Sequence, residues 1–365
     1  MTTNTQQILT PFDIGQVNLK NKFAVAPMTR ISASEEGLAS QRQVEYYERF
    51  AKGGFGLTIT EGIYTDQKFA QGYLFQPGIT DIEQAQAWRA VTGAVHKHEG
   101  KIFAQLMHAG ALSQGNRFSQ TTAGPSAVTP KGEQMGFYYG SGQYPTPKAM
   151  TDEDIADAID GFAKSALRAL EISGFDGIEI HGANGYLLDQ FLTDFSNQRT
   201  DKWGGDIQHR VRLILEVYKA VRQAVGSATV GVRISQGKVN DFFHKWAEGE
   251  AGAEVVFGSL ADAGVDFIHV TEFEAWQPAF ATGGDSFVKL ARRYAPNQVI
   301  ITNGSLHRVD HIEDVIKDGA DIIALGKGAL ANPDFPNRFA HGDSLVDFDP
   351  SILGPVANIK DSELG

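Results

Sequence analysis

Apolar positions along the chain fall in short blocks, and four of these blocks share one form. The segments GFGLTIT from Gly54, GFDGIEI from Gly174, GVDFIHV from Gly264 and GADIIAL from Gly319 each follow a helical stretch with glycine and then a short apolar run. In the last three an aspartate stands two places after the glycine. A helix-stopping glycine feeding a buried strand is the rhythm of a parallel sheet. Four more apolar runs, Phe23–Ala26, Ile102–Gln105, Val230–Arg233 and Val299–Thr302, alternate with these. Eight strands separated by helices predict a (β/α)8 TIM barrel formed as one domain over residues 1–365. A doubly wound open sheet is the alternative, but no G-x-G-x-x-G follows the first strand to favour it.

The polar positions add detail. TDED from Thr151 is a capping box, and Ile155, Ile159, Phe162 and Ala166 then make one apolar stripe at helical spacing. FDIGQVNL from Phe12 reads as a small hairpin that plugs the barrel floor. The longest interval between strands, residues 108–150, follows the third strand and has a tip rich in Gly, Tyr and Pro, FYYGSGQYPTP from Phe137. A long insertion on a βα loop lies over the active face of such a barrel, so it reads as a lid or substrate wall, with a loose surface excursion as the alternative.

Composition narrows the chemistry. The 365 residues are 42% hydrophobic and include no cysteine, which removes disulfides, a thiolate nucleophile and iron–sulfur clusters. No His/Asp/Glu cluster has metal-ligand spacing, so no metal is expected. A net charge of −12 disfavours nucleic acid and anionic membranes as partners. The polar start MTTNTQQILT carries no basic or apolar leader, and the expectation is a cytosolic protein. Self-association into a homo-oligomer is expected only as a base rate.

On a barrel, function collects where strands end. The fourth strand ends on His181, with Asn184 and Tyr186 close behind. Two donors and a phenol at one strand end suit a site that holds a carbonyl and delivers a proton. The stretch HGANGYLLDQFLTDFSNQRTDKWGGD from His181 resembles the signature of the old yellow enzymes, FMN-dependent ene-reductases. The pattern H-x-x-N-x-Y-L-x-x-Q-F-x-x-x-x-x-N-x-R-x-D-x-x-G-G is long enough to be specific.

The resemblance implies roles residue by residue. Pro27, Met28 and Thr29 would meet the flavin ring, with the Thr29 hydroxyl on its O4 edge. Gly62 would let backbone approach the ring, Gln105 would meet its N3/O2 edge, and Arg233 would face N1 and O2 of the reduced form. Asn303, Gly304, Ser305, Gly326 and Lys327 form two turns at the seventh and eighth strands, the recurrent phosphate site of these barrels. His181 and Asn184 would donate to the substrate oxygen, His181 also bordering the cofactor, and Tyr186 would protonate the α-carbon while hydride moves from flavin N5 to the β-carbon. Tyr73 and Trp276 are candidate substrate-pocket residues, and KVNDFFHKW from Lys238 could shape the pocket or an oligomer contact.

The implied activity is ping-pong reduction of α,β-unsaturated carbonyl or nitro compounds by NADPH or NADH through non-covalent FMN. A desaturase or oxidase of saturated carbonyls is one alternative, and a non-enzymatic flavin-binding barrel another. Three positions depart from the pattern: Lys327 for arginine, Met107 for an aromatic residue, and Trp203 for tyrosine.

Overall fold

The computed structural model describes residues 7–280 and 283–364. Eight parallel strands close into a barrel: β1 Phe23–Val25, β2 Leu57–Ile59, β3 Lys101–Met107, β4 Gly177–Asn184, β5 Thr229–Lys238, β6 Phe267–Thr271, β7 Val299–Asn303 and β8 Ile322–Leu325. Each pairs with its neighbour in sequence, β8 pairs with β1, and β2 pairs with β3. No open-sheet edge remains in the ring, which sets aside the doubly wound alternative. A helix separates every consecutive pair, from Gln41–Lys52 after β1 to Val309–Lys317 before β8. The helix Asp152–Arg168 opens on the expected capping box, Thr151 with Asp154, and buries Ile155, Phe162 and Ala166.

The repeated glycine and aspartate have separate causes. Gly54, Gly174, Gly264 and Gly319 all take positive φ (98°, 80°, 75° and 109°), the left-handed turn that ends a helix and that a side chain resists. The aspartates two places after the last three each accept a backbone N–H at the start of the preceding strand. Asp176 takes that of Ile102 at 2.9 Å, Asp266 that of Val230 at 2.8 Å and Asp321 that of Ile300 at 2.8 Å. A cationic or imidazole side chain backs each one: His96 at 2.7 Å, Arg222 at 2.6 Å and Arg292 at 2.5 Å. The motif staples adjacent strands together at the N-terminal rim of the barrel.

The hairpin Phe12–Ile14/Val17–Leu19 forms as expected. Ile14, Val17 and Leu19 pack with Leu57, Phe103 and Phe267 inside the barrel, closing its floor. The opposite end is covered by two excursions. Residues 108–150 are ordered against the barrel, and Met135, Tyr138 and Tyr144 from them pack around Tyr73 and Tyr186. The Tyr138 hydroxyl donates to the Thr29 carbonyl at 3.0 Å. The segment 355–364 lies beside them, where the Ala357 N–H donates to the Phe137 carbonyl at 2.9 Å and Val356 joins the same cluster. Buried Arg30, directly after Thr29, clamps this segment through a two-pronged ion pair with Glu363 and bonds to the carbonyls of Ala357 and Asn358. No described helix is long and apolar enough to cross a membrane.

Candidate active site

β4 and β5 run in register from Gly177 and Thr229 to Gly182 and Ile234, placing His181 opposite Arg233. The register then shifts, and pairing resumes only at Asn184 opposite Lys238. Both strands therefore run further than their apolar cores indicated. Asn184 adopts φ 60°, a left-handed conformation that asparagine tolerates better than most residues. It is held by its N–H to Ser235 Oγ at 2.8 Å and by its carbonyl, which accepts the Val239 N–H at 3.1 Å.

Tyr186 stands at the start of the short helix Leu187–Leu192, its ring 5.0 Å from that of His181. Its hydroxyl lies 2.6 Å from the Tyr73 hydroxyl. Tyr73 is fully buried and its ring meets that of Tyr138 at 4.5 Å. Burial pushes the Tyr186 hydroxyl up to about 12, against partial opposition from Tyr73 and Arg233. Burial, then the positive charge of Arg233, holds His181 well below its ordinary value, so its ring is neutral at pH 7. A neutral imidazole donor and a protonated phenol thus share one strand end.

Beneath them is a buried polar network. Glu179 accepts from the Gln105 amide at 2.8 Å and pairs with His269 Nδ1 at 2.7 Å. Burial works to raise the Glu179 carboxyl, but His269 and Arg233 together hold it below the usual range. Arg233 donates to Asn303 Oδ1 at 3.1 Å and to Thr271 Oγ1 at 3.3 Å. Glu179 and His269 were not singled out as site residues from the sequence. The available signal was a polar side chain at the centre of the apolar strands IEI and IHV, where one must find partners.

A cleft of about 340 Å³ runs from Asn184 past Thr271 to Asn303, Gly304, Ser305, Gly326 and Lys327. Gly304 is required there: at φ 148°, a Cβ would stand 2.3 Å from the Glu272 carbonyl oxygen. Pro27, Met28 and Thr29 are half-buried at the end of β1. The Met28 sulfur lies 3.6 Å from where a Cβ on Gly326 would stand, so loops one and eight adjoin.

The Trp276 ring stacks on that of His311 at 3.4 Å and 17°, tying the loop after β6 to helix Val309–Lys317. At Gly62 a Cβ would stand 2.4 Å from the Met107 sulfur, so the bare backbone there also makes room for Met107.

Several buried polar atoms here have no protein partner: His181 Nδ1, Arg233 Nε and His269 Nε2. Buried polar groups in folded proteins are rarely left so, which marks this end of the barrel as built for a polar ligand. The fold and site together define a barrel whose C-terminal face awaits a large polar cofactor.

The comparisons place the chain more closely. Residues 7–345 match the NADH:flavin oxidoreductase / NADH oxidase family. A probable flavin mononucleotide-dependent alkene reductase of Leishmania infantum is 35% identical, covering 95% of this chain and 93% of that protein. A 12-oxophytodienoate reductase 2 of Arabidopsis thaliana is 33% identical, over 91% of this chain and 88% of its own. Among solved structures, the old yellow enzyme homologue of Zymomonas mobilis superposes with a TM-score of 0.87 at 28% identity, covering 98% of both chains. Morphinone reductase in complex with tetrahydroNAD superposes with a TM-score of 0.83 at 31% identity, over 98% of this chain and 96% of the other. The chain belongs to the NADH:flavin oxidoreductase / NADH oxidase family, and the old yellow enzyme resemblance of the His181–Gly205 stretch extends over the barrel.

Proposed function

We propose that this protein is an FMN-dependent ene-reductase that reduces the activated C=C bond of α,β-unsaturated carbonyl or nitro compounds at the expense of NADPH or NADH. The observation that carries the reading is the meeting, at the end of β4, of the His181 and Tyr186 rings, 5.0 Å apart, with the Tyr186 hydroxyl 2.6 Å from that of Tyr73. The cleft and the unpartnered polar atoms beside it fit FMN. Arg233, Gln105, Thr29, Met28, Pro27 and Gly62 would border the ring system, and Asn303, Gly304, Ser305, Gly326 and exposed Lys327 would hold the phosphate. The chemistry a bound FMN supplies is uptake of two electrons from a reduced nicotinamide and delivery of hydride to the alkene β-carbon.

The chain's own residues do the rest. His181 and Asn184 donate hydrogen bonds to the carbonyl or nitro oxygen of the substrate. That oxygen grows more negative as hydride arrives, so fixed donors favour the transition state over the ground state. Tyr186 gives its proton to the α-carbon. The Tyr73 hydroxyl, 2.6 Å away, steadies the resulting oxyanion. Tyr138 and Tyr144 from residues 108–150 form the covering wall that keeps water from this proton transfer. In this reading the protein is one barrel, with residues 108–150 as its active-face cover.

An acidic chain without cysteine is in keeping with a cytosolic location and a small-molecule partner. An anaerobic spectrum tests the reading. The purified yellow protein should bleach on adding NADPH or NADH and regain its colour with 2-cyclohexenone. Bleaching without recovery would refute ene-reduction, and colour lost to a saturated ketone would point to desaturation.

A further inference from the structure

Behind the turn that carries Asn184 and Tyr186 lie two charges that the chemistry above does not use. Asp189 is fully buried and Lys238 nearly so, with the ammonium 2.8 Å from each carboxylate oxygen. Lys238 also donates to the Gln236 carbonyl at 3.2 Å. The carboxylate further accepts the Gly185 N–H at 2.7 Å and the Thr193 hydroxyl at 3.3 Å.

A buried ion pair is a weak stabiliser of a fold, because apolar residues of similar size often serve as well or better. The location of this one gives it another task. Gly185 lies between Asn184 and Tyr186, and Asp189 holds its N–H. Lys238 is the residue at which β5 rejoins β4, directly opposite Asn184. The next N–H along, that of Val239, holds the Asn184 carbonyl. The pair thus grips both sides of one turn, whose first residue sits in the left-handed conformation at φ 60°. Such a conformation persists only where its surroundings over-determine it.

We propose that the Lys238–Asp189 ion pair is a positioning device for the reaction, locking the Asn184–Gly185–Tyr186 turn so that amide and phenol bear on one substrate. The inference rests on the ene-reductase reading and adds two positioning residues to it. The Lys238 stem borders the cleft, but its ammonium is spent on Asp189.

The test uses the FMN-loaded enzyme and three variants: Lys238→Met, Lys238→Met with Asp189→Asn, and Lys238→Arg. Stopped-flow reoxidation of the reduced flavin by 2-cyclohexenone is measured per bound flavin, beside FMN affinity and thermal melting. Lys238→Met, which strands a buried carboxylate, should slow reoxidation 10- to 100-fold with FMN affinity within twofold of wild type. The double variant removes the stranded charge but leaves the turn without its ion pair, and should stay about as slow as Lys238→Met. Should Lys238→Met not fold, Lys238→Arg remains informative: it keeps the charge but cannot copy the compact ammonium, and should lose rate while retaining flavin. Wild-type reoxidation rates in both single variants, whatever the melting temperature, would overturn the proposal. A double variant restored to the wild-type rate would overturn it too, since the ion pair would then be dispensable. Wild-type enzyme that fails to reoxidise with the enone would refute the ene-reductase reading itself, an outcome visible in the control before any variant is compared.

Discussion

At the N-terminal rim of the barrel, Asp176, Asp266 and Asp321 each close a strand-start N–H and meet a cationic or imidazole partner. At the C-terminal rim, His181 Nδ1, Arg233 Nε and His269 Nε2 close nothing. Three strands thus begin in satisfied polar groups at one rim, and three carry buried atoms without a partner towards the other. One rim spends its hydrogen bonds on holding the strands together. The other withholds them for a ligand and accepts the cost of burying them unpaired. Substitutions at the two rims should separate stability from chemistry.

The largest effect belongs to the upper rim. Tyr186→Phe should slow flavin reoxidation by an enone by about 10²- to 10⁴-fold, the range of a lost general acid, and leave reduction by NADPH or NADH near wild type. Rapid-mixing measurement of the two half-reactions checks this; equal loss in both would make the tyrosine a pocket wall. His181→Ala should lower kcat/KM for the enone by about 10²- to 10³-fold through loss of an oxyanion donor, read from steady-state kinetics.

The lower rim should answer in the other currency of measurement. Asp321→Ala leaves the Ile300 N–H without its side-chain acceptor and Arg292 without its carboxylate, and should lower unfolding stability by about 1–3 kcal/mol. Turnover per bound flavin should not change. Urea melts beside single-turnover rates would sink the contrast if activity per flavin fell as far as stability.

A pH series sharpens the upper rim further. Proton delivery needs the protonated phenol, which persists below about 12, and His181 is neutral above its depressed value. Reoxidation by the enone should thus be level from about pH 7 to about pH 10. An unperturbed phenol of pKa near ~10 would have lost half its rate at the upper limit. The smallest effect is expected at the phosphate end: Lys327→Arg, which offers a planar fork, should tighten FMN by a few-fold on titration of the apoprotein.

The lower rim was legible in the sequence because it repeats. Glycine, aspartate and a short apolar run recur in register, and each recurrence obeys the same local hydrogen bonds, so period and type predicted the barrel. His181, Asn184 and Tyr186 were legible for another reason: they are near neighbours in sequence at one strand end, inside a long specific signature. What escaped were partners set by the closed ring. Tyr73 bonds Tyr186 across 113 residues, and Glu179 reaches His269 across 90. Nothing local in the chain fixes such pairs. The stacking of Trp276 on His311 and the closeness of Gly62 to Met107 are likewise contacts that no local pattern announces.

The Arg30–Glu363 clamp joins positions 333 residues apart, and shortly before Arg30 the pairing of Phe23 with Ile323 closes the barrel over a similar span. Loop-closure entropy makes contacts of that span slow to form, and they gain little until the intervening chain is in place. Because Arg30 closely follows β1, the clamp gains its site only once β1 has closed on β8, so the segment 355–364 and the cover over Tyr138 and Thr29 should dock after the barrel. Activity during refolding should then lag behind the return of helical circular dichroism, because a barrel can be complete before it is an enzyme.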